Sequence, residues 1–464
     1  MTYAEQRSQR LGMTRCPACP GTCPVIAPDG PPNSPYLFIG EAPGKEENAR
    51  GRPFIGQTGK EFNNHYLPLS GLTRDDIRIT NTVKCYTEDK SNSAKFQNIK
   101  DVCSRFHLRQ EMSAQRPAVV VPMGAVACSI NESINLEMHH GIPQLAVDWF
   151  GHRADTFPMW HPASGLHQTE SMVPLQFDFI ELGRFLRGEA NPPVDAYPHP
   201  IYEELESKSD VQNCLDSYEG LDLDCNMDTE TDPAEGFWCL TFSLAPGTGY
   251  MIRRVNKDGI GTYSDWVRSQ RSRKFVFHNG MFDLPVLQAV GINIPWKQFD
   301  DTMVRAYHLQ YLPQGLKALA YRLCGMQMEA FEDVVLPYAV DVMMDYIVRI
   351  SCIEWPKPEE QVKFDKGEFK IYKPQSLSTK LKRLMTDFNK NPTHKIFDRW
   401  GEWTPEEKLP VIAQFGDLPK PSIKYVPKNK AIYYACRDAD ATGRVKAALV
   451  RLRRQIRRVA ALHV

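Results

Sequence analysis

The residues of this chain whose types and spacing could do chemistry fall into two sets. In the first half, Glu41, Asn81 and His161 each directly follow a short apolar run, within Gly40-Glu41-Ala42-Pro43-Gly44, Ile79-Thr80-Asn81 and Trp160-His161-Pro162. A carboxylate, an amide and an imidazole placed just after strands is how an open α/β sheet builds a site at its carboxyl edge. In the second half, Asp228 and Glu230 stand at i and i+2, Asp283 follows the apolar run Lys274 to Phe277, and Tyr434 and Asp438 are four apart. On a strand the first pair shares one face, and on a helix the last pair does. Four carboxylates converging on a phenol need cations to neutralise them. Two Mg2+ or Mn2+ ions would do so while clamping an in-line phosphoryl displacement, with the phenol positioning the attacking water.

The cysteines add a third candidate. Cys16 and Cys19 form a Cys-x2-Cys pair, and Cys85 and Cys103 follow at the distance of one folded layer, with Cys23 as a decoy. Four thiolates so spaced can close a tetrahedral zinc site or hold a 4Fe-4S cluster, and spacing alone does not decide between them. Cys128, Cys239, Cys324 and Cys436 sit in apolar or helical contexts and read as small buried hydrophobes.

The motifs around the first set, namely Gly40 to Gly44, Gly51-Arg52-Pro53-Phe54-Ile55-Gly56, Gly71-Leu72, Ile79 to Cys85 and His161-Pro162, come in an order that resembles the family 4 uracil-DNA glycosylases over about residues 14–187. The resemblance implies a 4Fe-4S cluster on Cys16, Cys19, Cys85 and Cys103, structural rather than redox-catalytic. It also gives the other residues roles that suit their chemistry. Uracil excision turns the nucleotide out of the stack into a pocket, where Phe54 is the expected aromatic platform. The Asn81 amide offers one acceptor and one donor, matching uracil N3–H and O4. His161 is placed to donate to O2 as negative charge builds on the departing ring. Glu41 is the carboxylate expected to face the positive sugar and orient water, while backbone groups of Ala42 and Gly44 shape the loop. Lys84 and Arg52 are candidates for phosphate contacts.

Departures from the family pattern are Asn48 after Glu47, Tyr86-Thr87 after the third cysteine and Ala163 after His161-Pro162. They bear on turnover and selectivity more than on fold. His139 and His140 lie near the position of a histidine that bonds covalently to sugar in a suicidal relative. The accompanying basic motif is missing, so covalent trapping is not expected.

The second set resembles the 3′–5′ proofreading exonuclease domain of family A DNA polymerases, of the DEDD type with a tyrosine in the third motif. The likeness spans about residues 216–464 and includes Asp301-Thr302-Met303 and Leu316-Lys317-Ala318-Leu319-Ala320. It implies that Asp228, Glu230, Asp283 and Asp438 are metal ligands and that Tyr434 orients water. Asp224 and Asp440 are near-misses with structural or solvated roles.

These residues require elements to hold them. Apolar runs at Tyr36 to Ile39, Ile77 to Thr80, Ala118 to Val121 and Thr156 to Trp160 alternate with helical stretches, one from Phe96 to Gln115. That alternation predicts an α/β, doubly wound glycosylase domain with a parallel sheet over 1–190. The proline-stiffened stretch from Ala190 to Pro200 opens an expected linker over 191–215. An RNase H-like mixed-sheet exonuclease domain is expected over 216–464, carrying a partly helical insertion at about 333–430. A basic helix face is expected from Arg444 to Arg458.

With 464 residues, two or three domains are expected at roughly 100–200 residues each. Lys plus Arg and Asp plus Glu both number 56, so DNA contacts must come from local patches rather than from overall charge. No apolar stretch approaches the ~20 residues of a membrane span, and a cytoplasmic protein is expected, in host cytoplasm if phage-encoded. Some phage family A polymerases resemble this layout, with a glycosylase-like segment ahead of exonuclease and polymerase. The chain ends soon after Asp438, before any polymerase fold, so a separately encoded polymerase partner is expected. The leading expectation is a bifunctional enzyme acting on DNA. Its rival is an active exonuclease whose first half only binds DNA or senses uracil.

Overall fold

The computed structural model describes residues 2–18, 24–89, 91–167, 172–309, 313–351 and 420–461. Its contacts divide the chain into two units, Met1–Ala196 with Tyr311–Met326, and Tyr197–Gln310 with Gln327–Val464.

The first unit is built on a five-stranded sheet in the order β2-β1-β3-β5-β4, from β1 (Tyr36–Gly40), β2 (Arg78–Asn81), β3 (Val119–Pro122), β4 (Gln144–Trp149) and β5 (His152–Thr156). β2, β1, β3 and β5 run parallel, and β4 closes one edge antiparallel to β5. The central strands are buried on both faces. Phe38, Ile79 and Val121 meet Phe62, Phe157 and Phe179 in one core, and Leu37, Ile39 and Val120 meet Leu108 and Trp149 in another. Burial on both sides explains why these strands read as continuous apolar runs.

The run expected at Thr156 to Trp160 is displaced. The strand is the more polar 152–156, and the chain continues along β3 with the amides of Phe157 and Met159 donating to the carbonyls of Val120 and Pro122. Apolarity marked the buried continuation, whereas the ladder itself begins in residues that face water on one side. The chain leaves β1 for β2 on one side and returns to β3 on the other, so the strand order reverses between β1 and β3. That reversal is where such sheets open a crevice.

The second unit carries a six-stranded mixed sheet in the order β11-β10-β7-β8-β9-β6. Its strands are β6 (Ile201–Glu204), β7 (Cys225–Asp232), β8 (Gly236–Ser243), β9 (Thr248–Arg253), β10 (Phe275–Phe277) and β11 (Phe299–Asp301). β7, β8 and β9 form an antiparallel meander, while β10 and β11 extend it parallel to β7. The helix Lys428–Ala461 packs along β7, β8 and β9.

Two expectations about organisation are corrected. Residues 201–216 are no linker: β6 pairs parallel with β9, and the helix Lys208–Asp216 packs on the helix Lys257–Ser269, burying Val211 and Leu215. The prolines before residue 201 hid a strand that is only four residues long. The helix Leu316–Cys324, expected with the exonuclease, belongs by its contacts to the first unit, where the Tyr321 hydroxyl donates to Gln144 Oε1 at 2.9 Å. Of the expected insertion, the helix Phe331–Ser351 and residues from 420 onward are described, and 352–419 lie outside the described residues.

Candidate active sites

A cavity of about 330 Å³ beyond the ends of β1 and β2 has walls that include Ala42, Gly44, Phe54, Gly56, Asn81 and His161. Asn81 ends β2 and is buried, so its amide is held where water cannot compete for the hydrogen bonds that would read a base. Phe54 has φ 55°, a left-handed conformation rare for a non-glycine residue and the kind of strain that a site imposes. Its ring lies 5.9 Å from the His161 ring, centroid to centroid.

Two glycines make the arrangement possible. A Cβ on Gly40 would fall 2.5 Å from Asn81 Oδ1 and 2.6 Å from Phe54 Cζ. Gly124, at φ 86°, would place one 2.9 Å from the His161 Cβ. Glu47 supports the Phe54 loop by accepting the amides of Ile55 at 3.1 Å and Gly56 at 2.8 Å. Sequence reading missed Glu47, because one acid among several in a short helix carries no signal of its own.

His161 Nδ1 accepts the Ala163 amide at 3.1 Å. Burial pushes the imidazole pKa down to about 4, so the ring is neutral and its single proton sits on Nε2. Since the contact uses the backbone of residue 163, the departure to Ala there leaves it intact. Glu41 directly follows β1 and is half-buried, and that burial raises its carboxyl above the ordinary value. It adjoins Ala42 in sequence but is not among the cavity's lining residues.

Lys84 does not face phosphate. It is fully buried, with Nζ 2.7 Å from Glu111 Oε2. Arg52 is half-exposed but engaged with Asp29 at 2.9 Å, where Arg7 and Arg74 also converge. Both cations serve the fold. His140 is buried against Asp178, and His139 Nδ1 accepts the Asn135 amide, so neither ring is presented to the cavity.

The cysteine site is partly in view, since Cys19 and Cys23 lie outside the described residues. Cys16, Cys103 and His107 are buried, with ligand atoms all within 4.8 Å of one another. The Lys84 amide points at Cys103 Sγ from 3.3 Å. Cys85 is buried next to Lys84, against Val25, and outside that trio. Burial pushes the Cys103 thiol up to about 12, so this sulfur becomes a thiolate here only if a cation stabilises it. The donor set therefore fits a metal or metal–sulfur group.

In the second unit, Asp228, Glu230 and Asp438 bring carboxylate oxygens within 4.8 Å of one another, although 210 residues separate the outer two. β7 supplies the first pair on one face and the helix Lys428–Ala461 supplies the third. Such crowding of negative charge fits a site for divalent cations. Asp283 is tied to the same strand but lies outside the trio. Its Oδ1 accepts the Thr229 amide at 2.9 Å and the Thr229 hydroxyl at 2.6 Å, and burial raises its pKa to about 6. Tyr434 and Asp438 share the wall of a cavity of about 400 Å³ with Tyr433 and Arg437. Burial first, then the charges of Asp438, Glu230 and Asp228, raise the Tyr434 phenol, so it stays protonated as a neutral donor.

A mostly parallel sheet with a cavity lined by Phe54, Asn81 and His161, and a mixed sheet carrying an acidic trio, are the two features that comparison with known proteins assigns to hydrolases of nucleic acid. Residues 27–180 match the model of the uracil DNA glycosylase superfamily, and residues 224–338 match that of a 3′–5′ exonuclease family. The type-4 uracil-DNA glycosylase of Thermotoga maritima is 32% identical over 155 residues, which are 32% of this chain and 77% of that one. Those of Saccharolobus solfataricus and Archaeoglobus fulgidus are each 30% identical, covering 73% and 81% of their lengths and 33% and 35% of this chain. The chain belongs to the type-4 uracil-DNA glycosylases and carries a 3′–5′ exonuclease domain as well. Among solved structures, the exonuclease domain of Aedes aegypti Nibbler aligns at TM-score 0.25 and 12% identity over 30% of this chain and 75% of that one, too slight a likeness to carry weight.

Proposed function

We propose that this protein is a bifunctional DNA-processing enzyme that excises uracil and degrades DNA from its 3′ end. The observation that carries the reading is the meeting of Phe54, Asn81 and His161 around one cavity in a chain that also gathers Asp228, Glu230 and Asp438. Phe54 stacks on the extruded base, and the Asn81 amide pairs with its N3–H and O4. The neutral His161 holds its Nε2 proton toward O2, where charge develops as the glycosidic bond breaks. Because that donor is fixed in advance, no reorganisation accompanies the reaction. Glu41, ionised, stabilises the positive sugar and orients water from beside the cavity.

In the exonuclease, Asp228, Glu230, Asp438 and Asp283 would hold two Mg2+ or Mn2+ ions, which supply Lewis acidity to the scissile phosphate and lower the pKa of the attacking water. Tyr434 orients that water through its phenol. A 4Fe-4S cluster on Cys16, Cys19, Cys85 and Cys103 serves as a structural group of the first unit. We place the enzyme in phage-type DNA replication or repair, beside a separately encoded DNA polymerase.

The test is one incubation in two stages. With EDTA, single-stranded DNA bearing one uracil is expected to yield an alkali-labile abasic site with no shortening. Added magnesium is expected to start 3′ shortening. Shortening without any abasic product would instead make the first unit a uracil-sensing or DNA-binding module.

A further inference from the structure

Cys103 closes the helix Ala94–Cys103, and the next turn, Ser104–Leu108, is π-helical. Such turns are rare and occur mostly as single bulges, frequently at functional sites. This one carries His107, four residues after Cys103, into the cysteine site. The imidazole is buried, and a ring nitrogen lies within 4.8 Å of both the Cys16 and Cys103 sulfurs. A buried imidazole N–H calls for an acceptor, and these sulfurs are among the polar atoms that surround it. A second donor already points there, the Lys84 amide at 3.3 Å from Cys103 Sγ. The Lys84 amide at 3.3 Å and a His107 ring nitrogen within 4.8 Å, from different elements, give this buried sulfur surroundings suited to negative charge.

We propose that His107 donates its imidazole N–H to the thiolate sulfur of the cysteine-held iron–sulfur cluster and thereby sets the cluster's reduction potential. The inference rests on the iron–sulfur reading above and adds a residue to that site. Hydrogen bonds to sulfur are among the means by which a protein tunes such a potential. A donor stabilises the reduced cluster more than the oxidised one, because the reduced form carries one more negative charge. His107 is thus a positioning residue for charge and takes no part in breaking the glycosidic bond.

The test uses the full chain purified anaerobically. Iron and sulfide analysis comes first, because absence of both would overturn the iron–sulfur reading and this inference with it. Given a cluster, titration with dithionite is expected to show that His107→Leu lowers the potential, shifting the one-electron equilibrium at least tenfold, about 59 mV. His107→Gln, which keeps an N–H donor, is expected to restore most of that shift. In the wild-type protein labelled with 15N-histidine, pulsed EPR of the reduced cluster is expected to show coupling to a histidine nitrogen, a readout that does not depend on any variant folding. Iron and sulfide present, with no nitrogen coupling and an unmoved potential, would overturn this inference alone.

Discussion

His161 Nδ1 sits 3.1 Å from the Ala163 amide, and that single contact decides which end of the ring can act. The amide can only donate, so Nδ1 must accept and the proton is left on Nε2. The His161→Ala variant is expected to lose about 10²–10³-fold in glycosylase kcat, the usual effect of removing one preorganised donor. Single-turnover excision under EDTA measures this, and a loss under threefold would refute the role.

The same ring predicts a pH dependence. Its folded pKa of about 4 lies below the ordinary histidine value of 6.5, so between those values the unfolded chain binds a proton that the folded chain does not. This contribution is therefore complete above pH ~6.5 and is lost as pH falls toward ~4. Activity should show no inflection near the ordinary histidine value. Its acid limb should instead follow Glu41, whose carboxyl is raised by burial and must be ionised to act. In Glu41→Gln the surviving activity is expected to lose that limb, and a pH–rate profile of kcat/KM reads both.

Gly40→Ala is a severe and selective change. Its methyl would arrive 2.5 Å from Asn81 Oδ1 and against the Phe54 ring, both cavity walls. Uracil excision is expected to fall at least about tenfold, equivalent to ~1.4 kcal/mol. The magnesium-dependent shortening should be unaffected, and both are followed on one labelled oligonucleotide. Equal loss of the two would point to misfolding.

Asp178 is buried and accepts from His140 Nδ1 at 2.9 Å and from the Trp160 amide at 3.3 Å, one residue before His161. Removing one member of such a pair leaves a buried polar partner unsatisfied, at a cost of ~1–3 kcal/mol. Asp178→Ala should lower the denaturation midpoint by that equivalent in urea titration. Asp178→Asn, which keeps an acceptor, should lose less.

How much of this was legible in the sequence follows from which signals are local. Asn81 and His161, each read from the apolar run before it, both line the cavity, whereas Glu41, read the same way, is not among its lining residues. Asp228 with Glu230 and Tyr434 with Asp438 were readable from strand and helix periods. Their meeting across 210 residues follows from the helix Lys428–Ala461 packing along β7. Long-range partners left no such trace. Lys84 looks like a phosphate ligand until Glu111, 27 residues on, is seen beside it. His107 looks like any helical histidine until the π turn and Cys16 are seen together. Asp283, expected as a fourth metal ligand, lies outside the acidic trio, and its hold on Thr229 depends on a hydroxyl that no spacing rule marks.

The claim that two separate chemistries reside in this chain is tested most directly by a pair of variants in one assay. With wild type, His161→Ala and Asp438→Ala on uracil-bearing single strands, His161→Ala is expected to shorten 3′ ends in magnesium without making abasic sites. Asp438→Ala is expected to make abasic sites while its shortening falls at least ~10³-fold, several kcal/mol of metal-supported catalysis. Abolition of both activities by either variant, in protein that remains folded, would contradict the account.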